Sequence, residues 1–181
     1  GLTAGGVAAT LIRYSGTAAQ FINAHSTLGI VIQDLQIQST NGAFTGYLVD
    51  YGHDAVLLTD SAYMVSTRCM YLPGTGIGVS LINAIDGAFT DCYFYQGLRA
   101  VRGRGVAGDY SNRHAFSGCT FNGATGGAPL HNAGEAWQIS SCTFEPITGG
   151  APGALDQDTG IAARGVAFEN CWMGDLTAAG T

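Results

Sequence analysis

The sequence predicts an all-β solenoid: a single-stranded right-handed parallel β-helix of about six coils. Two observations carry this. All five cysteines sit at the same place in a repeated phrase, and the composition favours short strands joined by tight turns over helices. The phrase reads STRCMY (66–71), FTDCYF (89–94), FSGCTF (116–121), ISSCTF (139–144) and FENCWM (168–173), with IQDLQI (32–37) carrying Leu35 in the cysteine slot. The register positions 35, 69, 92, 119, 142 and 171 are spaced by 34, 23, 27, 23 and 29 residues. A repeat of this length marks stacked structural units.

Within the phrase, an apolar residue falls three places before the cysteine in most copies and two places after it in all, as with Ile139 and Phe144. The residue before the cysteine is Asp34, Arg68, Asp91, Gly118, Ser141 or Asn170. Asp, Gly and Asn tolerate a left-handed backbone, so the chain is expected to bend there and start a new strand at the cysteine. Side chains alternate along a strand, so the cysteine and the residue two places on face the same way. Parallel stacking at about 4.8 Å per coil makes a tube roughly 29 Å tall. Its interior holds a cysteine column beside Ile37, Tyr71, Phe94, Phe121, Phe144 and Met173. The shortest coil of 23 residues suits three short strands per turn.

The remaining composition fits. A hydrophobic fraction of 46% with 11% charged residues is that of a chain with a core rather than a disordered tail. No apolar run reaches the roughly 18 residues of a membrane helix. A net charge of −6 with seven Arg and no Lys argues against general nucleic-acid binding. The N-terminus GLTAGGVAAT carries no initiator Met, basic leader or apolar signal core, which reads as a piece of a longer polypeptide forming one domain over 1–181. The cysteines lack C-x-x-C spacing and a consistent histidine offset, so no metal and no cofactor is expected. Neighbouring coils would hold two cysteine Cβ atoms about 4.8 Å apart, beyond the usual disulfide range of about 3.5–4.5 Å, so they read as reduced core fillers made in a reducing cytosol.

The stretches ATLIRYSGT (9–17) and GIVIQDLQIQ (29–38), with the I-x-x-C-x-F coils, resemble the pectate-lyase-like right-handed β-helix superfamily over about residues 7–175, and in particular bacteriophage tail spikes. That resemblance implies a trimeric spike of a virion, or a secreted relative, that recognises bacterial surface polysaccharide. Two alternatives are a depolymerase of capsule or O-antigen, acting as hydrolase or lyase, and a purely structural shaft. Of the hydrolase motifs, only DQDTG (156–160) and YGHD (51–54) echo here, in reversed order.

Sites on a solenoid are expected on outward ladders and on insertions, placed here near 39–60, 97–113 and 146–160. The last insertion brings Asp156 and Asp158 near Glu145, and paired carboxylates are what glycosidic cleavage uses. The middle one is rich in Arg, and Arg102, Arg104 and Arg113 could orient an anionic sugar in planar, two-pronged fashion. The first carries Asp50, His53, Asp54 and Asp60, where a His beside an Asp could act as a base. His114, in the slot occupied by Ile30 and Trp137 in other coils, reads as packed. Outward positions Gln36, Met70, Tyr93, Thr120, Thr143, Trp172, Leu72 and Tyr95 form a face nearly free of charge, either a subunit contact or a sugar-stacking platform through Tyr93, Tyr95 and Trp172.

Overall fold

At every residue before the repeat position the backbone is left-handed: φ is 55° at Asp34, 49° at Arg68, 51° at Asp91, 64° at Gly118, 53° at Ser141 and 51° at Asn170. This bend ends one strand and turns the chain into the next. The computed structural model describes residues 10–52, 61–105, 109–145 and 153–174. Between the first and last of these corners the chain winds through about five turns of a parallel β-solenoid, with no helix among the described residues. Parts of all three expected insertions lie outside the described residues.

Sheet 1 stacks Thr10–Tyr14, Leu35–Ser39, Met70–Leu72, Tyr93–Gly97, Thr120–Ala124, Thr143–Glu145 and Trp172–Met173. Sheet 2 stacks Gln20–Asn23, Tyr47–Asp50, Ile77–Ser80, Arg99–Arg102, Leu130–His131 and Leu155–Asp156. Sheet 3 stacks Val31–Gln33, Val65–Thr67, Ala88–Thr90, Ala115–Ser117, Gln138–Ser140 and Ala167–Glu169. A short sheet of Ser61–Ala62, Ala84–Ile85 and Ser111–Asn112 lies between sheets 2 and 3 in chain order. Every pairing is parallel and joins one coil to the next.

A second corner, six residues before each repeat position, has no common residue type. It is left-handed at Gly29 (74°), Tyr63 (59°), Asp86 (58°), Arg113 (58°), Ala136 (55°) and Gly165 (63°). At both corners one rung is an Asp bonded to an Arg one coil on. Arg68 Nε and Arg113 NH2 lie 2.6 and 2.8 Å from Asp34 and Asp86 respectively. The left-handed region is uncommon for a residue with a Cβ, and these pairs help hold it.

The interior is built of ladders, as the repeat requires. Cys69, Cys92, Cys119 and Cys142 are buried and unpaired, with Cys171 half-buried at the end of the column. Each thiol donates to the carbonyl three residues before the repeat position one coil back: Ile32, Ser66, Phe89, Phe116 and Ile139, at 3.4–3.5 Å. Beside them Tyr71, Phe94, Phe121 and Phe144 stack with centroids 4.8–5.0 Å apart and planes within 12°. A second stack joins Phe89 and Phe116 at 4.8 Å. The coil rise sets this spacing, and each contact adds about 0.5–1.5 kcal/mol beyond area burial.

One coil departs from the apolar pattern in a matched way. Ser66 stands where other coils have Phe or Ile, and Tyr71 where most have Phe or Ile; their hydroxyls meet at 2.6 Å. His114 is buried as well. Its Nδ1 accepts the Gly87 N–H at 2.9 Å, leaving Nε2 to donate to the Ala84 carbonyl at 3.2 Å. Burial pushes its pKa down to about 3, so it is a neutral core residue. A Cβ at position 87 would come within 2.6 Å of Nδ1, which is why that slot holds Gly.

Candidate functional site

Aligned by register, sheet 2 carries one continuous polar column: Asn23, Asp50, Ser80, Arg102, His131 and Asp156, one from each successive coil. In its first half Asn23 is exposed at the end of the column, and the two residues after it are closed off. Asp50 and Ser80 are fully buried, and Asp50 accepts from the Gly52 N–H at 3.3 Å and meets His25 Nε2 at 2.9 Å. His53, Asp54 and Asp60 of the same stretch lie outside the described residues.

The second half opens to solvent, and there two of the sequence-predicted carboxylates converge on one imidazole. His131 Nδ1 lies 2.7 Å from Asp156 Oδ1, and Nε2 lies 3.3 Å from Asp158 Oδ2. A neutral ring carries one N–H, so both contacts become hydrogen bonds only in the imidazolium. Asp156 Oδ2 also takes Arg99 NH2 at 3.0 Å and the Ala128 N–H at 3.1 Å. Asn132 Nδ2 donates to Asp158 Oδ2 at 2.9 Å, while its Oδ1 accepts the Asp158 N–H at 2.8 Å. The Asn132 hydrogen bond, aided by the nearby charges of His131 and Arg102, holds the Asp158 carboxyl below the usual range. Asp158, with its side chain 57% exposed, is therefore a carboxylate at neutral pH, suited to act as a base or nucleophile rather than an acid.

Two predicted arginines border this cluster. Arg102 donates to Tyr47 Oη at 2.9 Å and to the Gly105 carbonyl at 3.5 Å. Arg104 donates to the Ala162 carbonyl at 3.1 Å, while its own carbonyl accepts from Asn132. Among the described residues the Nε of each is buried without a hydrogen-bond partner. Arg113 does not join them, being spent on Asp86 at the second corner.

Glu145 is also elsewhere, on sheet 1, where Asn122 donates to its carboxylate. That sheet's outer face has two columns. Leu11, Gln36, Met70, Tyr93, Thr120, Thr143 and Trp172 run in register along one. Arg13, Gln38 and Leu72 are successive partners in the other, as are Tyr95, Asn122 and Glu145. The rings of Tyr93 and Tyr95 lie side by side, 5.9 Å apart and within 19° of parallel, and Trp172 is 57% exposed. Burial, then Glu145 and Tyr95, pushes the Tyr93 hydroxyl up, so it stays a neutral donor.

Sequence reasoning missed His131, Asn132 and the role of Arg99. The signal was the pairing of His131 with Asp156 one coil on, hidden because the loops ahead of them differ in length. Gly127 is needed as well: a Cβ there would collide with Arg99 NH1 and Asp156 Oδ2. Among the described residues no cluster has the ligands for a metal ion. Comparison with protein-family models, with curated proteins and with solved structures gives no match, so the reading of this site rests on its own chemistry.

Proposed function

We propose that this chain is a segment of a phage or phage-derived spike of the pectate-lyase-like kind, a homotrimer that recognises bacterial surface polysaccharide. The observation that carries the reading is the outer face of sheet 1. It is long, nearly uncharged, and bears the paired rings of Tyr93 and Tyr95 with Trp172 farther along. Aromatic rings stack on the apolar faces of sugars while their polar tips, and the neighbouring Gln, Thr and Asn side chains, meet hydroxyls. An extended polymer lying along the tube meets one outward rung per coil, aromatic at Tyr93 and Tyr95 and polar at Thr120 and Asn122.

The test is binding of the chain to a panel of capsular and O-antigen polysaccharides by calorimetry. Tyr95→Ala, with the ring stack broken, should weaken binding about tenfold at unchanged circular dichroism. If no polysaccharide binds, or if Tyr95→Ala binds as well as the parent, the recognition reading is wrong. Light scattering on the full-length polypeptide tests the trimer, and a monomer there would remove that part.

A second reading, cleavage of the same polymer, is favoured by the His131 contacts to Asp156 and Asp158. Asp158 would serve as base or nucleophile, His131 in its protonated form as proton donor, and Arg102 or Arg104 would steer an anionic sugar. New reducing ends indicate hydrolysis and unsaturated-uronate absorbance indicates elimination; either should vanish in Asp158→Asn. Unchanged chain length with retained binding leaves recognition alone.

A further inference from the structure

A cleft of about 550 Å³ opens beside the short sheet, lined by Ile85, Tyr110, Asn112, Arg113, Glu135 and Ala136. It involves neither the aromatic face of sheet 1 nor the polar column of sheet 2. Its volume lies in the range of small-molecule sites, about 300–1,000 Å³. We propose that it binds a single neutral pyranose residue of a glycan, independently of the sheet 1 face.

The lining has the two characters a sugar ring needs. Ile85 supplies an apolar wall, and Tyr110 an aromatic one. Tyr110 is anchored by a reciprocal pair, its N–H donating to Asn83 Oδ1 at 3.1 Å and its carbonyl accepting the Asn83 N–H at 2.6 Å. Asn83 is buried, so the backbone that carries this ring is fixed to the core. Register then places polar groups on successive rungs: Ile85 pairs with Asn112, and Asn112 bridges to Glu135. The left-handed corner at Arg113 and Ala136 turns the backbone away at the cleft edge.

Hydrogen bonding in the cleft is incomplete. Among the described residues Asn112 Oδ1 has no hydrogen-bond partner, and the Glu135 carboxylate lies 3.8 Å from Arg164 NH1. An amide, a guanidinium and a carboxylate around one opening can bind a ring of hydroxyls, each of which both donates and accepts. The charges select among sugars. Arg113 is matched by Asp86 at 2.8 Å, and Glu135 faces Arg164, so the four groups sum to zero. A uronate carboxylate would arrive beside Glu135 and compete with Asp86 and Glu135 for Arg113 and Arg164, whereas a neutral hexose brings no charge into the cleft.

The test uses the chain with methyl glycosides of glucose, galactose and mannose, and with methyl glucuronoside, followed by saturation-transfer NMR and calorimetry. At least one neutral glycoside should bind, with the glucuronoside weaker by about tenfold or more. Glu135→Gln, which keeps the shape of an exposed side chain, and Tyr110→Ala should each weaken the neutral glycoside about tenfold. Glycoside binding that survives in both cleft variants and is lost in Tyr95→Ala belongs to the sheet 1 face, which separates the two sites. The inference is overturned if no neutral glycoside binds, if the glucuronoside binds equally well, or if both cleft variants bind as the parent does.

Discussion

Arg68 clasps both carboxylate oxygens of Asp34 one coil back, Nε to Oδ1 at 2.6 Å and NH2 to Oδ2 at 2.8 Å, with both residues in left-handed backbone. The Arg68 hydrogen bonds, with a further one from Gln33, lower the Asp34 pKa. A carboxyl lowered on folding stabilises the fold above its unfolded value of 3.8, and that contribution is lost as pH falls through the folded value. A double-mutant cycle with Asp34→Asn and Arg68→Gln should show coupling at neutral pH and low salt. The coupling should shrink in high salt and vanish in acid, because both side chains face solvent. Coupling that persists in acid would contradict the assignment.

The Ser66–Tyr71 hydroxyl contact makes a prediction about non-additivity. Ser66→Ala leaves the buried Tyr71 hydroxyl without that partner and should cost about 1–3 kcal/mol in urea unfolding. Combining it with Tyr71→Phe should recover most of the loss, since both partners become apolar as in the neighbouring coils. Additive costs would show that the hydroxyls are satisfied separately.

The thiols should report the tube by their reactivity. A neighbouring sulfur and burial push the Cys69 and Cys119 thiols up, which keeps them protonated and unreactive. In the native protein Cys171, the only half-buried thiol, should label first with a maleimide, and the other four should follow only in denaturant. Rapid labelling of Cys119 in native buffer would place it outside the column.

His114 should dominate a mild-acid transition. Its folded pKa of about 3 lies below the ordinary 6.5, so the unfolded chain takes up the proton first and stability falls as pH drops below 6.5. Between pH 6.5 and 4.5 the loss should reach roughly 2–3 kcal/mol, and His114→Gln should flatten that part of the profile. An unchanged slope in the variant would assign the transition to other groups.

What was legible in the sequence follows from what the coil must repeat. The bend before each cysteine and the ladders at Phe94, Phe121 and Phe144 recur because every coil solves the same packing problem with similar residues. The second corner escaped because Tyr63, Arg113 and Ala136 enter the same left-handed region as Gly29 with no shared chemistry, held by their neighbours rather than by their own preference. Asp156 and Asp158 were legible as a pair, but His131 was not. Its relation to them is set by pairing between coils, and the loops between strands vary in length while the strands do not drift.

The strict pairing of each coil with the next has a consequence for engineering and evolution. Duplicating or excising one whole winding keeps every remaining partner aligned, so the rod can change length without changing its cross-section. Dropping a single residue inside a strand, by contrast, would turn that rung inside out and present its Phe to water.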